Sequence, residues 1–219
     1  PMGRSQGGLN ERQRFKNLAK DTLRALGCSE VMTYSFVSPK TADKVNEREK
    51  SYFRQFVKLI NPLGEDTSVM RTMILPNMLE VIYTNMSRKN PQVRFFELGN
   101  TFIDLPNTKE PGLPIEKDAL CVAMYGPNET FYTLKGVIEQ LLSTLGIQNV
   151  WYRTEKFDKR FHPGRCAAVE HDSRQLAVIG QVHPDVAVGY GLDQPVYAAE
   201  IDFEMLWETK KEAVRYTPL

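Results

Sequence analysis

Residues 61–103 read NPLGEDTSVMRTMILPNMLEVIYTNMSRKNPQVRFFELGNTFI, and this stretch decides the fold. Its first four residues have the composition of a turn. Apolar residues then recur at three- and four-residue steps, which predicts an amphipathic helix with Pro76 in its first turn. Residues 93–98 predict a central strand, which Gly99 is expected to bend. The stretch therefore predicts a turn, a buried helix and a strand.

Composition excludes several classes of protein. The 219 residues carry 28 basic and 27 acidic side chains, a net charge of +1, so no overall field attracts nucleic acid or membrane. Three cysteines without a CxxC pair indicate reduced thiols and a cytoplasmic protein. No apolar run approaches the roughly 18 residues of a membrane helix. Residues 1–9 are expected to be a flexible start, and both ends resemble cuts through a longer polypeptide.

Periodicity predicts the remaining elements. A helix over residues 10–26 begins with Asn10 and Gln13 as a capping box, and further helices are expected at 38–45, at 134–145 and from 203. In 30–37, Met32, Tyr34 and Phe36 alternate with smaller residues, which predicts a strand. Further strands are predicted at 52–60, 119–125, 151–154, 167–170, 176–182 and 196–201, with a surface loop at 104–117. The predicted class is α+β, a mostly antiparallel sheet with helices packed on one face.

Few residues suggest independent chemistry. The sequence lacks the phosphate loop GxxxxGK[ST], and a single His162–Cys166 pair is too little for a zinc site, so no metal site is predicted. Asp202 and Glu204 follow the last strand, and an alternative function as a stand-alone ATP-dependent ligase depends on them. A second alternative is direct tRNA binding through residues 156–165 (KFDKRFHPGR), which interleave bases with two phenylalanines.

Nine short segments together resemble one family. They are GCSEVMTYSF at 27–36, NPL at 61–63, SVMRT at 68–72, LPNMLE at 75–80, FELG at 96–99, LKG at 134–136, HPGR at 162–165, GQVHP at 180–184 and AAEID at 198–202. In this order and spacing they resemble the β subunit of bacterial phenylalanyl-tRNA synthetase, and within it the module that looks like a catalytic domain. The resemblance covers almost the whole chain, from about residue 3 to the end.

The resemblance implies a fold and a role. The fold is a class II aminoacyl-tRNA synthetase core, as one module over residues 10–219 with halves at 10–104 and 118–210. The role is that of a non-catalytic scaffold, which packs against the catalytic α subunit in an (αβ)2 enzyme that attaches phenylalanine to tRNA. ATP and Mg²⁺ are used by the whole enzyme, and no cofactor is expected in this module. In the family the first long helix and the following strand, here 10–26 and 30–36, help to form the α–β contact.

The residues themselves argue against a catalytic site in this chain. Class II sites hold ATP with arginines in their second and third motifs, because charge-assisted hydrogen bonds stabilise the phosphates. Where the family's α subunits resemble GRVYR, residues 99–103 read GNTFI, and residues 198–206 (AAEIDFEML) contain neither glycine nor arginine. The chain alone is therefore predicted to be inactive, with no catalytic residues.

The remaining polar residues are candidates for structure or for contacts with partners. Arg71 and Glu97 lie beside apolar segments and are expected to pair, either to fix loops and strand register or to serve an interface. The other structural or interface candidates are Asn61, Pro62, His162, Pro163, Gly164 and Arg165. The candidates for contact with tRNA are Lys156, Lys159 and Arg160.

Overall fold

The computed structural model describes residues 7–105 and 113–210. The helices are α1 (Glu11–Ala25), α2 (Thr41–Lys44), α3 (Leu75–Ser87), α4 (Phe131–Thr144), α5 (Pro184–Gly189) and α6 (Phe203–Thr209). The strands are β1 (Ser29–Glu30), β2 (Phe36–Val37), β3 (Val69–Met70), β4 (Val93–Ile103), β5 (Ile115–Tyr125), β6 (Trp151–Thr154), β7 (Phe161–His171), β8 (Arg174–Val182) and β9 (Tyr197–Asp202). Two short 3-10 turns lie at Tyr52–Arg54 and Glu65–Thr67.

One seven-stranded sheet dominates the fold, with the strand order β1-β4-β5-β9-β8-β7-β6. All its pairs are antiparallel except β1–β4. The longest pair, β4 with β5, runs without a register shift from Val93 opposite Tyr125 to Ile103 opposite Ile115. Because β4 and β5 belong to the two predicted halves of the chain, both halves contribute to a single sheet.

Helices cover both faces of this sheet. Alternate residues of β5 point to opposite cores, with Leu120 and Val122 facing α1, α4 and α6, and Cys121 and Ala123 facing α3 and α5. This alternation follows from the two-residue period of a strand, and it explains why β5 is apolar along its length. The prediction that the helices pack on one face is wrong, because β5 carries apolar residues on both of its faces.

Several local predictions are confirmed. Asn10 caps α1 through a capping box, in which its Oδ1 accepts from the Gln13 amide at 2.8 Å and the Gln13 side chain accepts from the Asn10 amide at 2.9 Å. The strands predicted at 167–170 and 176–182 lie within β7 and β8, which form a hairpin that turns at Asp172 and Ser173, both of which adopt positive φ. α3 and β4 lie where the opening stretch places them, and β4 pairs with β5 without interruption through Gly99, where a bend was predicted.

Three other predictions need correction. The strand predicted over residues 52–60 is a 3-10 turn followed by a single bridge at Lys58, because the Arg54 side chain donates to the carbonyls of Glu47 and Arg48 and folds the chain back. The strand predicted over 30–37 is divided between β1 and β2, which pair with different partners. β5 extends into the predicted loop at 104–117, of which residues 106–112 lie outside the described part.

Candidate functional site

Arg71 and Glu97 form a buried ion pair at the first candidate site. Arg71 Nη1 lies 2.7 Å from Glu97 Oε1, and both side chains are almost fully shielded from solvent. The Arg71 guanidinium also donates to the Asn100 carbonyl and to Thr33 Oγ1, each at 2.9 Å. Thr33 Oγ1 in turn donates to Glu97 Oε2 at 2.7 Å. This network ties β4 to the extended segment that contains Thr33.

Hydrogen bonds hold residues 31–37 of that segment against the protein. The Thr33 side chain is bound as described, and the Ser35 carbonyl accepts from the Arg71 amide at 2.8 Å. Exposure alternates along the segment, with Thr33 and Ser35 half-buried and the intervening side chains exposed. They are apolar and exposed: Met32 is 89%, Tyr34 82% and Phe36 42% accessible to solvent. We call Met32, Tyr34 and Phe36 the docking face.

A loop of similar character lies next to the docking face. β2 pairs with β3, and the chain at Val57 and Leu59 hydrogen-bonds to the other edge of β3. The loop that follows exposes Ile60 and Leu63 almost completely, with the candidates Asn61 and Pro62 exposed between them. Exposed large apolar residues that gather in one region are typical of a surface that contacts another protein.

The second candidate site is a cavity of about 250 Å³ over the sheet, on the side of α3. Thr101 and Ile103 of β4, Val178 of β8 and Glu200 of β9 form part of its wall. Thr101 and Ile103 belong to the segment where a class II enzyme was expected to carry an arginine. Among the described residues, Lys117 and Arg160 are the cations that line this cavity.

The charges around the cavity are satisfied within the chain. Arg160 Nη2 lies 2.6 Å from Asp158 Oδ2, and the guanidinium packs over the rings of Phe53 and Phe161. Although burial opposes the shift, Arg160 lowers the pKa of Asp158 below its ordinary value. Glu200 accepts from the Ile74 and Leu75 amides, both at 2.9 Å, and its burial raises its pKa. These contacts stabilise the N-terminus of α3 and occupy the charged groups of the cavity wall.

The structure separates the two carboxylates of the ligase alternative. Asp202 caps α6 by accepting from the Met205 amide at 3.0 Å. Glu204 pairs with Arg12 of α1 and is not part of the cavity wall. An acid–base pair must reach the same substrate atoms. The placement of these two side chains therefore argues against that role.

The predicted tRNA contacts divide between interior and surface. Lys156 and Lys159 are exposed, whereas Arg160 is buried against Asp158 and Glu47. An arginine whose guanidinium is enclosed and paired in this way does not meet a phosphate backbone, so its burial argues against the tRNA-contact prediction for Arg160.

Residues His162 to Arg165 form a bulge in β7. The pairing of β7 with β8 is irregular between Phe161 and Cys166. Inside the bulge the Gly164 amide donates to His162 Nδ1 at 3.0 Å, and Pro163 is exposed. Arg165 is exposed and donates to Gln181 Oε1 at 2.6 Å across the hairpin. The structure thus gives His162 and Arg165 local contacts that stabilise the bulge.

Sequence relatives of this chain are known. The model of one family, described as "Phenylalanyl tRNA synthetase beta chain CLM domain", matches residues 1–203. The chain belongs to this family. It is 39% identical over 212 residues to the "Phenylalanine--tRNA ligase beta subunit" of Clostridium acetobutylicum and 35% identical over 214 residues to that of Clostridium tetani. These alignments cover 97% and 98% of the chain, which spans about a quarter, 26% and 27%, of the two relatives.

Solved structures confirm the predicted fold class. Two structures of pyrrolysyl-tRNA synthetase from Desulfitobacterium hafniense superpose with TM-scores of 0.69 and 0.72. They cover 89% and 93% of the chain, which in turn covers 67% and 73% of theirs, at identities of 18% and 15%. The class II synthetase-like core, with a mostly antiparallel sheet flanked by helices, is thus confirmed. No helix in the described part of this family member is both long and apolar enough to cross a membrane, and no three potential metal ligands gather there.

The alternation of Met32, Tyr34 and Phe36 is visible in the sequence, but the direction in which these side chains point is not. A strand with alternating large residues normally directs them to the core, as binary patterns predict. Here the half-buried positions are Thr33 and Ser35. The Thr33 hydroxyl bonds to Arg71 and Glu97, and the Ser35 carbonyl accepts from the Arg71 amide. The sequence feature that could have indicated this orientation is the expected pair of Arg71 and Glu97, because an arginine and a glutamate inside the fold need polar neighbours.

Proposed function

We propose that this chain is a non-catalytic scaffolding module of a phenylalanine–tRNA ligase β subunit, and that it packs against the catalytic α subunit of an (αβ)2 enzyme. In this proposal residues 10–219 act as one module with halves at 10–104 and 118–210. Residues 1–6 of the start predicted at 1–9, and residues 211–219, lie outside the described part of the chain. The whole enzyme uses ATP and Mg²⁺ to attach phenylalanine to tRNA in the cytoplasm. The names of the relatives support the enzyme, and the docking face supports the role.

The observation that carries the proposal is the exposure of Met32, Tyr34 and Phe36 on a segment held by buried charges. Leaving three large apolar side chains in water is unfavourable by roughly 1.5–3 kcal/mol each compared with full burial. A rigid, preorganised segment also loses little conformational entropy when a partner covers it. The segment therefore has the properties of an interface strand without its partner.

The cavity supports a non-catalytic role. Its single arginine is occupied by Asp158, and its wall carries the carboxylates Glu200 and Asp202. Carboxylates on that wall oppose a triphosphate electrostatically, whereas a synthetase needs cations that are free to bind phosphate. Adenylate formation in the proposed enzyme is therefore assigned to the α subunit.

Assembly of the two subunits tests the docking face. A β subunit carrying Met32→Ser, Tyr34→Ser and Phe36→Ser is mixed with the α subunit and analysed by size-exclusion chromatography with light scattering. We expect at least 100-fold weaker assembly, since interface anchors are each worth about 2 kcal/mol or more. The matched control replaces Tyr132, Trp151 and Val188, which are also large, apolar and exposed, by serine. Unchanged assembly of the first variant, or equal loss in the control, would contradict the assignment.

Catalytic silence is tested separately. ATP–pyrophosphate exchange is measured with phenylalanine on the 219-residue chain and on the αβ enzyme. We expect exchange with the αβ enzyme and none with the chain. Robust exchange by the chain that Asp202→Asn abolishes would instead establish the ligase alternative.

A further inference from the structure

A second surface feature shares no lining residue with the docking face and has no role in the proposed function. It is a groove of about 690 Å³ between residues 47–53 on one side and residues 153–160 on the other. The Arg48 guanidinium donates to the Phe157 carbonyl and so connects the two walls. The groove shares Tyr52, Phe53 and Arg160 with the cavity over the sheet, so the two are neighbours.

The uncompensated charge of this groove is positive. Each of its three acids is close to an arginine: Glu155 lies 3.3 Å from Arg153, and Asp158 and Glu47 lie 2.6 Å and 3.8 Å from Arg160. Its lysines are not compensated in this way. Lys50 and Lys159 line the groove, Lys156 lies beside it, and all three are exposed and make no ion pair with the described residues. A polyanion that entered here would meet three free ammonium groups.

Two aromatic rings accompany these lysines. Phe157 is 72% accessible on one wall, and Tyr52, also exposed, stands on the other wall with its ring centroid 4.0 Å from that of Phe53. An exposed phenylalanine on a loop gains nothing from the core, and its flat face is open to another ring. Basic side chains that follow a groove, together with aromatic rings that offer stacking surfaces, are the pattern by which proteins hold single-stranded nucleic acid.

We propose that this groove binds a segment of single-stranded nucleic acid. Lys50, Lys156 and Lys159 contact the phosphates, and Phe157 and Tyr52 stack with the bases. The site differs from the predicted segment 156–165, because Arg160 is part of the buried wall and a second chain segment supplies Lys50 and Tyr52. Duplexes are excluded as ligands that use the stacking surfaces, since their bases are already stacked.

Fluorescence anisotropy with a labelled single-stranded RNA of about eight nucleotides tests the proposal. The full chain is titrated from about 50 to 200 mM salt, where phosphate contacts give a log–log slope of about −0.7 per neutralised phosphate. Replacing Lys50, Lys156 and Lys159 by alanine is expected to make the slope less steep by about 2. Phe157→Ala is expected to weaken binding roughly 5- to 100-fold at an unchanged slope.

The control variant replaces Arg14, Arg88 and Lys89, which are also exposed and make no ion pair with the described residues, by alanine. Circular dichroism establishes that each variant is folded. No binding at 50 mM salt, equal binding of a duplex of the same length, or an equal change of slope in the control would overturn the proposal. Assembly with the α subunit is measured on the same lysine variant and is expected to be normal, so a failure here is distinguishable from a failure of the docking face.

Discussion

Replacing Gly99 by alanine tests whether the Arg71–Glu97 pair governs the stability of the fold. A Cβ at Gly99 would lie 2.3 Å from Arg71 Nη2 and 3.2 Å from Glu97 Oε1. The first distance is far inside van der Waals contact, so the guanidinium must move. It is held by hydrogen bonds to Glu97, Thr33 and Asn100, and each such bond to a charged group contributes about 1.5–3 kcal/mol.

The expected cost is about 2–4 kcal/mol of the free energy of unfolding, from partial loss of those bonds and from overpacking of about 1–3 kcal/mol. The sign of the change in unfolding free energy shows whether the added Cβ clashes. Gly99 lies within a strand and has no positive φ, so alanine without a clash would stabilise the protein by about 0.4–1 kcal/mol. The matched control is Gly136→Ala in α4, where a Cβ meets nothing within 4 Å and is expected to stabilise the helix by about 0.5–1 kcal/mol.

Urea unfolding followed by circular dichroism measures both variants, together with Gly99→Ala in an Arg71→Met background. Arg71→Met alone is expected to cost about 3–5 kcal/mol, since it leaves the Glu97 carboxylate buried and unpaired. In that background alanine at position 99 should cost less than about 1 kcal/mol, because the atom it would meet is gone. A neutral or stabilising Gly99→Ala, or an equal cost in the two backgrounds, would refute the steric argument.

Three further predictions each concern one side chain. Because Arg160 lowers the pKa of Asp158 from its ordinary 3.8, this carboxylate stabilises the fold above pH 3.8, and the contribution is lost as the pH falls through the lower folded value. The Asp158→Asn variant should therefore be less stable by about 1–3 kcal/mol at pH 7, and the difference should shrink in acid. Urea unfolding at several pH values measures this difference. Burial raises the pKa of the Cys166 thiol to about 12, so iodoacetamide at pH 8 should label the unfolded but not the native chain, as mass spectrometry will show. Asn10→Ala removes the α1 cap and should cost about 0.5–2 kcal/mol in thermal unfolding, and an unchanged unfolding temperature would contradict this.

Elements with strong local signals were predictable from the sequence. α1 and α4 have complete apolar faces with a cap or a closing glycine, and β7 and β8 are joined by a tight turn, so local chemistry is sufficient to specify them. Residues 52–60 were mispredicted as a strand because alternation competes there with side-chain contacts. The Arg54 guanidinium binds two backbone carbonyls from residues 47–48, and no periodicity reports such contacts.

Only part of the candidate site was predictable from the sequence. Pairing of Arg71 with Glu97 could be expected, since two charges between apolar segments need each other. The partners of Arg160 could not be expected, because a basic residue in a run of lysines and aromatics has the same sequence appearance whether it faces water or the core. Burial depends on the bend of the whole segment over the sheet, which only the tertiary structure fixes.

The contrast between the cavity and the docking face supports assembly over catalysis. In the cavity, Glu200 uses both oxygens on backbone amides and Arg160 is bound to Asp158, so the charged groups are already satisfied without a ligand. A site that must bind a nucleotide keeps preorganised donors free, and their stabilisation appears only with the ligand. On the docking face the situation is reversed, since the Thr33 hydroxyl and the Ser35 carbonyl have hydrogen-bond partners and the neighbouring apolar side chains are exposed. The unsatisfied surface of this chain is therefore the one that we propose a protein partner covers.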